Sequence, residues 1–571
     1  MNGRLVRALG AMVVTAALTL SGAAVAQADP APNSGAARGG ASVHLVAPEA
    51  SRFSQISAGP LHTLARGLDG EVYAWGANGS GALGDGTTID RSTPVQVRRP
   101  EGVTFTRVSA GLERSFALTD TGDIYAWGHF GHVLGTGQPS QRELVPVPVV
   151  RPAGVTFTGV ASAESHALAT SSSGRVYAWG ENADGRLGDG TRIARSTPVE
   201  VALPTGVSFF GLAAGQRYSL AIGSDGKTYA WGDNRDAVLG NGTTTDSIVP
   251  TPVTLPGGRP FTALSAGYAH VLAIGSDGRA YAWGAGGYGR LGTGDTTARL
   301  VPTPVAMPDD ATVIQVSAGE DHSFALTASG MAYGWGHNDP GRLGDGTQTN
   351  RLTPAPIAIP GGRALQQIGA GKFGGQALAS DGSAYSWGGN GSGQLGDGAV
   401  LDEDTDPAPR LSPGPVASTA VITAVRFGGI AGRSLTVGID GSARVLAPAH
   451  AAGRVAVSVS WLRGGVPQPA RSYGEFTYVG SFAAAPKPRI SGTARVGKKL
   501  KVRVGSWAPG TVKLRYRWLR NGTAIRGAAA AKAMYRLTKR DAGKRISVRV
   551  TGSKAYYVTA TKVSAAKRVR R

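Results

Sequence analysis

Apolar residues in this chain fall in short alternating runs rather than at helical spacing, and the runs return on a fixed schedule. Within Leu264–Gly294, Ser265-Ala266-Gly267 leads to His270-Val271-Leu272-Ala273-Ile274, then Asp277-Gly278, then Arg279-Ala280-Tyr281-Ala282-Trp283-Gly284. Two apolar runs joined by Asp-Gly or Ser-Gly predict a β-hairpin, because Gly accepts the positive φ that such turns need. Gly stands at that turn seven times, at Gly70, Gly122, Gly174, Gly226, Gly278, Gly330 and Gly382. A Trp-Gly pair follows each time, at Trp75, Trp127, Trp179, Trp231, Trp283, Trp335 and Trp387, each 52 residues after the last. Tyr precedes every one of these Trp residues by two positions, and residues two apart in a strand share a face. A loop then runs to Leu-Gly-x-Gly, present seven times from Leu83 to Leu395, and a Thr-Pro or Val-Pro opens an extended Val-x-Val segment. No window carries a 3.6-residue apolar period, so little helix is expected. One unit copied seven times, with three to four strands per copy, predicts propeller blades rather than a helical solenoid.

The combination Ser-Ala-Gly-x-x-His, Asp-Gly-x-x-Tyr-Ala-Trp-Gly and Gly-x-Leu-Gly resembles the regulator of chromosome condensation repeat, over residues 43–417. The resemblance implies a seven-bladed β-propeller with a narrow axial channel and two loop-built faces. Val43-His44-Leu45-Val46-Ala47-Pro48 matches Val95-Gln96-Val97-Arg98-Arg99-Pro100 at the same 52-residue offset. An N-terminal strand is therefore expected to complete the last blade and remove its exposed edge.

Past the repeats, Asp402, Glu403, Asp404, Asp406, Pro407, Pro409, Pro413 and Pro415 read as an acidic, Pro-rich exit loop. Residues 418–480 resemble an immunoglobulin-like domain of the IPT/TIG type, although Ala431–Leu446 also follows the repeat loosely enough to suggest a degenerate eighth blade. In the last segment Val512, Leu514, Tyr516 and Trp518 alternate with Lys513, Arg515 and Arg517, a half-buried strand. With Tyr535-Arg536-Leu537-Thr538 and Ile546-Ser547-Val548-Arg549-Val550, residues 487–571 resemble the small Ig-like domains appended to exported bacterial proteins. The fold class expected is all-β: a seven-bladed β-propeller followed by two immunoglobulin-like β-sandwiches.

Composition adds compartment and charge. Arg4 and Arg7 precede an apolar run from Ala8 to Leu20 and small residues at Ala24, Ala26 and Ala28, so residues 1–28 read as a secretory signal and 29–42 as a flexible linker. No later stretch is apolar for long enough to span a bilayer after signal removal. The chain contains no Cys, which excludes disulfides, thiol catalysis and cysteine zinc sites. Of the net charge of +22, residues 487–571 carry +24, from 25 Lys and Arg against the single acid Asp541; the first 486 residues carry −2.

Candidate chemistry is sparse. The pattern G-x-G-x-x-G occurs at Gly79–Gly84, Gly287–Gly292 and Gly391–Gly396, but an extended Pro segment follows where a nucleotide site needs a helix N-terminus. No cofactor is expected. One repeat position carries His62, Arg114, His166, Tyr218, His270, His322 and Gly374. A metal would need several of these histidines to converge; the family resemblance implies instead that each bonds backbone inside its own blade. Asp402-x-Asp404-x-Asp406 begins like a calcium loop, yet Pro407 stands where Gly is required. Neither Gly-x-Ser-x-Gly nor His-Glu-x-x-His occurs, so no catalytic residue is assigned and a non-enzyme is expected.

Two binding signals remain. Arg91, Arg195, Arg299 and Arg351 recur just before the Pro strand, and would form a ring on one face that either receives an anionic partner or pairs with Asp of Leu-Gly-Asp-Gly turns. Lys498, Lys499, Lys501, Arg503, Lys513, Arg515, Arg517, Lys544, Arg545 and Arg549, with the tail Lys567-Arg568-x-Arg570-Arg571, concentrate positive charge that attracts polyanions or simply keeps the segment soluble. The expectation is a monomeric secreted or envelope-associated binding protein. Its propeller face takes a protein or envelope polymer, and its basic segment takes anionic envelope polymer, with no specific nucleic acid. The alternative is a specific inhibitor or exchange-factor-like regulator, since the resembling family includes a nuclear exchange factor for a small GTPase and a secreted β-lactamase inhibitory protein has a similar propeller.

Overall fold

The computed structural model describes residues 34–36, 42–46, 52–129, 132–138, 142–399, 408–437, 441–463, 466–479, 482 and 484–571. The signal and acidic-run expectations, at residues 1–28 and 401–407, lie outside the described residues.

Each 52-residue unit forms one four-stranded antiparallel sheet, and seven such sheets follow one another. In blade 1 the strands are Phe53–Ala58, His62–Gly67, Val72–Gly76 and Arg91–Gln96. The second and third strands pair in register, with His62 opposite Gly76 and Ala65 opposite Tyr73. The Asp69-Gly70 turn between them puts Gly70 at φ +84°, the left-handed region that Gly alone enters without a Cβ penalty. These middle strands are buried along almost their whole length, whereas the first and fourth strands are half-buried. A strand covered by a neighbouring blade on both faces reads as a continuous apolar run. Among the described residues, helix is confined to six 3-10 turns, and no helix is long and apolar enough to cross a membrane.

The cores lie between blades, not within them. Phe116, Leu118 and Ile124 of blade 2 pack with Ala167, Tyr177 and Trp179 of blade 3, and Phe53, Tyr73 and Trp75 of blade 1 pack with Leu378 and Ala384 of blade 7. All seven repeat Trp side chains are at most 1% exposed.

Ring closure differs from the expectation. Blade 7 already has a fourth strand of its own, Arg410–Pro415, opposite Ala384–Gly388. The N-terminal strand Ser42–Val46 pairs instead with Ser442–Leu446, and Val43 and Leu45 join a different core. The ring shuts through side chains: Gln367 of blade 7 accepts from the Ile56 amide of blade 1 at 3.0 Å and donates to its carbonyl at 2.6 Å.

Beyond the ring, Ser42–Val46, Arg433–Val437 and Ser442–Leu446 form a three-stranded sheet. A five-stranded sheet runs from Ser34–Ala36 through Val466–Val479, Gly453–Arg463 and Ala420–Phe427 to Ile430–Ala431, so three residues of the expected linker are strand. Both sheets contribute to one core around Phe427, Val457, Trp461 and Phe476, which leaves no eighth blade. The last segment repeats the plan, with sheets containing Lys499–Arg503 and Lys513–Arg520 sharing a core around Trp518, Tyr535 and Val548.

A buried indole that bridges two blades cannot be removed without leaving a cavity. Trp231→Ala is expected to cost about 3 to 5 kcal/mol, read as a lowered denaturant midpoint; an unchanged midpoint would show that this residue does not seal a blade junction.

Candidate functional site

The seven first strands line the axial channel, and their ends open into a cavity of about 290 Å³. The loop after each first strand places one side chain at this mouth, in blade order Pro60, Leu112, Glu164, Gln216, Tyr268, Glu320 and Lys372. The flanking positions repeat as Ala and Gly nearly everywhere, whereas this one holds six residue types in seven copies. The fold therefore does not dictate it.

Blades 5 to 7 build an aromatic and cationic patch beside the mouth. Tyr268 and Tyr288 are 46% and 48% exposed. The Tyr288 ring stacks on His337 with centroids 4.3 Å apart, and Arg290 lies 6.0 Å over the same ring while pairing with Asp321 at 2.7 Å. Lys372 pairs with Glu320 at 3.1 Å and sits 5.4 Å over the Phe373 ring, which Arg342 approaches at 5.8 Å. Tyr288 adopts φ +58°, a left-handed conformation that strains a bulky residue and is retained where surroundings or function demand it. Arg290 and Arg342 are almost fully buried, so the patch has a rigid base.

The histidines act at the blade junctions. Nε2 of His62, His166 and His270 bonds Oγ of Ser115, Ser219 and Ser323 in the next blade, at 2.8, 2.8 and 2.9 Å, and His322 donates to the Gly374 carbonyl. This corrects the expectation of bonds within one blade. The ladder already occupies each histidine's own backbone neighbours, so the imidazole leaves the sheet toward the next one. Burial, the largest cause, lowers the His62 pKa to about 4 and those of His166 and His322 to about 3; His270 is also held well below its ordinary value. Among the described residues no group of three or more His, Asp or Glu is placed to hold a metal.

The recurrent arginines are each matched by a carboxylate of their own blade. Arg91 meets Asp85 at 2.8 Å, Arg195 meets Asp189 at 2.7 Å, Arg299 meets Asp295 at 2.8 Å and Arg351 meets Asp345 at 2.7 Å. Burial alone would raise Asp85, Asp189 and Asp345, but hydrogen bonds from Thr and Arg outweigh it and hold all three below the usual carboxylate range. Sequence reasoning missed the residue that organises this turn. Asn78 is fully buried; its Oδ1 accepts from the Leu83 amide at 2.9 Å and its Nδ2 donates to the Ile89 carbonyl at 3.1 Å. Asn182, Asn234, Asn338 and Asn390 accept from the equivalent leucine amides, and the signal was visible as Asn three residues after Trp in five copies. The Gly79–Gly84 loop is the same turn, with no helix after it to receive a phosphate.

The basic candidates divide among three surfaces. Lys499, Lys501 and Arg503 project from one sheet, Lys513, Arg515, Arg517, Arg545 and Arg549 belong to the other, and Lys498 and Lys544 lie in the turns that lead into strands; all ten are exposed.

The profile of the RCC1-like domain matches residues 37–376 and, in an overlapping register, 153–437. The chain is 32% identical over 353 residues to the ultraviolet-B receptor UVR8 of Arabidopsis thaliana, a match covering 61% of this chain and 80% of the receptor. It is 29% identical over 328 residues to the regulator of chromosome condensation of Homo sapiens, covering 53% of this chain and 76% of that protein. Among solved structures, Prp20p of Saccharomyces cerevisiae aligns with a TM-score of 0.54 at 20% identity, covering 70% of this chain and 93% of Prp20p, a likeness of fold.

The histidine junctions set an acid limit. With folded pKa values below the unfolded 6.5, each imidazole binds its proton more readily in the unfolded chain, so stability is complete above 6.5 and falls as pH drops toward about 4. Each histidine is expected to contribute a slope of about 1.4 kcal/mol per pH unit in that window. Urea midpoints measured across it should fall with acid for the native chain and less steeply for His166→Gln; equal slopes would remove the buried histidines from the account.

Proposed function

The chain belongs to the family of RCC1-like domains, and from that premise we propose that it works without catalysis, as a binding protein whose channel mouth receives a protein partner. The single observation that carries this reading is the patch on blades 5 to 7. Exposed Tyr268 occupies a ring position that varies from blade to blade, and exposed Tyr288 stacks over buried Arg290, with buried Arg342 under Phe373 beside them. Tyr and Arg on a rigid base are the residues that dominate affinity at protein interfaces, because they bury large areas at small entropic cost. Likeness to the yeast protein supports a protein partner, since Prp20p has binding properties to Gsp1p and histones.

In the same reading, residues 1–28 export the chain, and residues 418–480 and 487–571 fold as an IPT/TIG-like and a bacterial Ig-like sandwich. The basic segment keeps the monomer at anionic envelope polymer. A specific inhibitor or exchange-factor-like regulator would use the same patch, because its compactness suits one partner better than a long polymer.

The reading is tested by recovering proteins from envelope and culture fractions with three forms: the full chain, the chain ending at residue 486, and Tyr268→Ala with Tyr288→Ala. The double variant is expected to weaken the captured partner about 30-fold, and the shortened chain to keep the partner but lose retention at the envelope. Partner affinity indifferent to both tyrosines would overturn the patch, and envelope retention by the shortened chain would overturn the anchoring role.

A further inference from the structure

Four arginines of the last segment meet on one outward surface. The C-terminal strand Lys567–Arg568 pairs antiparallel with the start of Arg545–Ser553, which sets Arg568 opposite Arg545. Two residues on, Arg570 bridges Arg495, its amide donating to the Ala494 carbonyl at 2.7 Å. Val569, between the two, is 2% exposed, so Arg568 and Arg570 point the other way, into water, and Arg545 and Arg495 are exposed beside them. Residues directly opposite in a ladder share a face about 5 Å apart, and residues two apart along a strand lie about 7 Å apart. The quartet therefore lies together on one small patch of that surface.

Among the described residues no acidic side chain pairs with this charge. The one acid of residues 487–571, Asp541, is fully buried and already accepts from Arg520 at 2.7 Å, the Thr538 amide at 2.7 Å and Tyr535 at 3.1 Å. Among the described residues none of the four guanidinium groups has an acidic partner. Like charges directly opposite one another destabilise a sheet, and a soluble surface has no need of them in register. Other cations pair as well: Arg517 faces Arg549, and along the strand Lys499–Arg503, Lys499 faces Arg536 and Arg503 faces Arg489, with Lys501 between. The quartet differs from that mixed row in being all Arg, whose planar fork holds phosphate oxygens two at a time.

We propose that Arg495, Arg545, Arg568 and Arg570 form a phosphate-binding site that seats an extended phosphodiester polymer. This rests on the reading that the basic segment meets a polyanion, and narrows it to one edge and one anion chemistry. Two sources share that chemistry: a base-free chain such as poly(glycerol phosphate), and single-stranded nucleic acid.

The test uses the full chain with fluorescently labelled poly(glycerol phosphate), an oligodeoxythymidylate and polyglutamate, titrated at several salt concentrations. Both phosphate polymers are expected to bind at least about tenfold tighter than polyglutamate of equal charge. Changing all four arginines to Gln should weaken them about tenfold or more and flatten the oligonucleotide's salt dependence by about 3 in log–log slope, since each neutralised phosphate contributes about 0.7. Arg→Lys at the same four positions keeps the charge and should still lose most of the preference for phosphate. A control lacking the same charge elsewhere, Lys501→Gln, Arg503→Gln, Lys513→Gln and Arg515→Gln, should change affinity less than about threefold. Thermal melting confirms that each variant is folded, and the quartet variant should melt no lower than the native chain.

Equal losses in the quartet and control variants would overturn the site while leaving polyanion binding intact, and polyglutamate binding as tightly as phosphate would overturn the chemistry. Absence of binding to any polymer would overturn both the site and the reading beneath it. Binding of the base-free chain as tightly as the oligonucleotide identifies phosphodiester alone as sufficient; binding of the oligonucleotide only would assign the site to nucleic acid.

Discussion

The whole ring depends on an indole pressed against a glycine of the preceding blade. Trp127 lies so close to the Leu83-Gly84 turn that a Cβ on Gly84 would stand 2.7 Å from its ring nitrogen, and the same nitrogen donates to the Ala82 carbonyl at 2.8 Å. Ser115 donates to that carbonyl as well, at 2.7 Å, and receives His62 from the blade before. One turn is thus held by an aromatic contact and a relay of three side chains from two blades. Trp-Gly and Leu-Gly-x-Gly repeat together because each is the other's partner one blade away. A fully buried Trp removes on the order of 200 Å² from water, roughly 5 kcal/mol as an upper bound, so the junctions outweigh any single hydrogen bond in them.

That constraint explains why the ring closes without exchanging a strand. Gly396 of blade 7 meets Trp75 of blade 1 at 2.7 Å by the same measure, and the Trp75 nitrogen donates to the Gln394 carbonyl at 3.1 Å. The closing junction repeats the glycine–indole contact of the other six, but where four of them have histidine, one Arg114 and one Tyr218, it has no side chain. Gly374 stands in that place, and a Cβ there would lie 2.0 Å from the Trp387 carbonyl, so the backbone has moved into the space an imidazole would need. Gln367 bonds across it as Gln55 and Gln315 do at their own junctions, and Gln376 adds a bond to Thr63. Blade 7 therefore closes the ring without an imidazole, its amides reaching the first blade directly.

The parts of this architecture that repeat were legible in the chain, and the parts set by meeting in three dimensions were not. Trp231 and Gly278 announce their roles because identical environments select identical residues at a fixed interval. Val43-His44-Leu45-Val46 also matched the interval, yet it joined another sheet, because alternation encodes a strand with one buried face and says nothing of which edge it will meet. The direction of His62 was equally hidden: its serine lies 53 residues on, a distance only the assembled ring makes short. Arg91 and Asp85 were closer to readable, being six residues apart in one turn, and the shared Asn78 would have tipped the choice toward pairing.

Absence of repetition is what separates the surfaces that hold the fold from those available for recognition. Arg91, Arg195, Arg299 and Arg351 recur and are each neutralised locally, as a structural position would be. Tyr268 occupies a position filled differently in the neighbouring blades, and Tyr288 holds a backbone conformation that packing alone does not favour. The basic segment shows the same contrast in charge: Arg520 has the buried Asp541 as its partner, while Arg545 and Arg568 stand opposite each other in the ladder. Side chains whose cost to the fold is visible and whose benefit to it is not gather, in this protein, at the channel mouth and along the C-terminal edge.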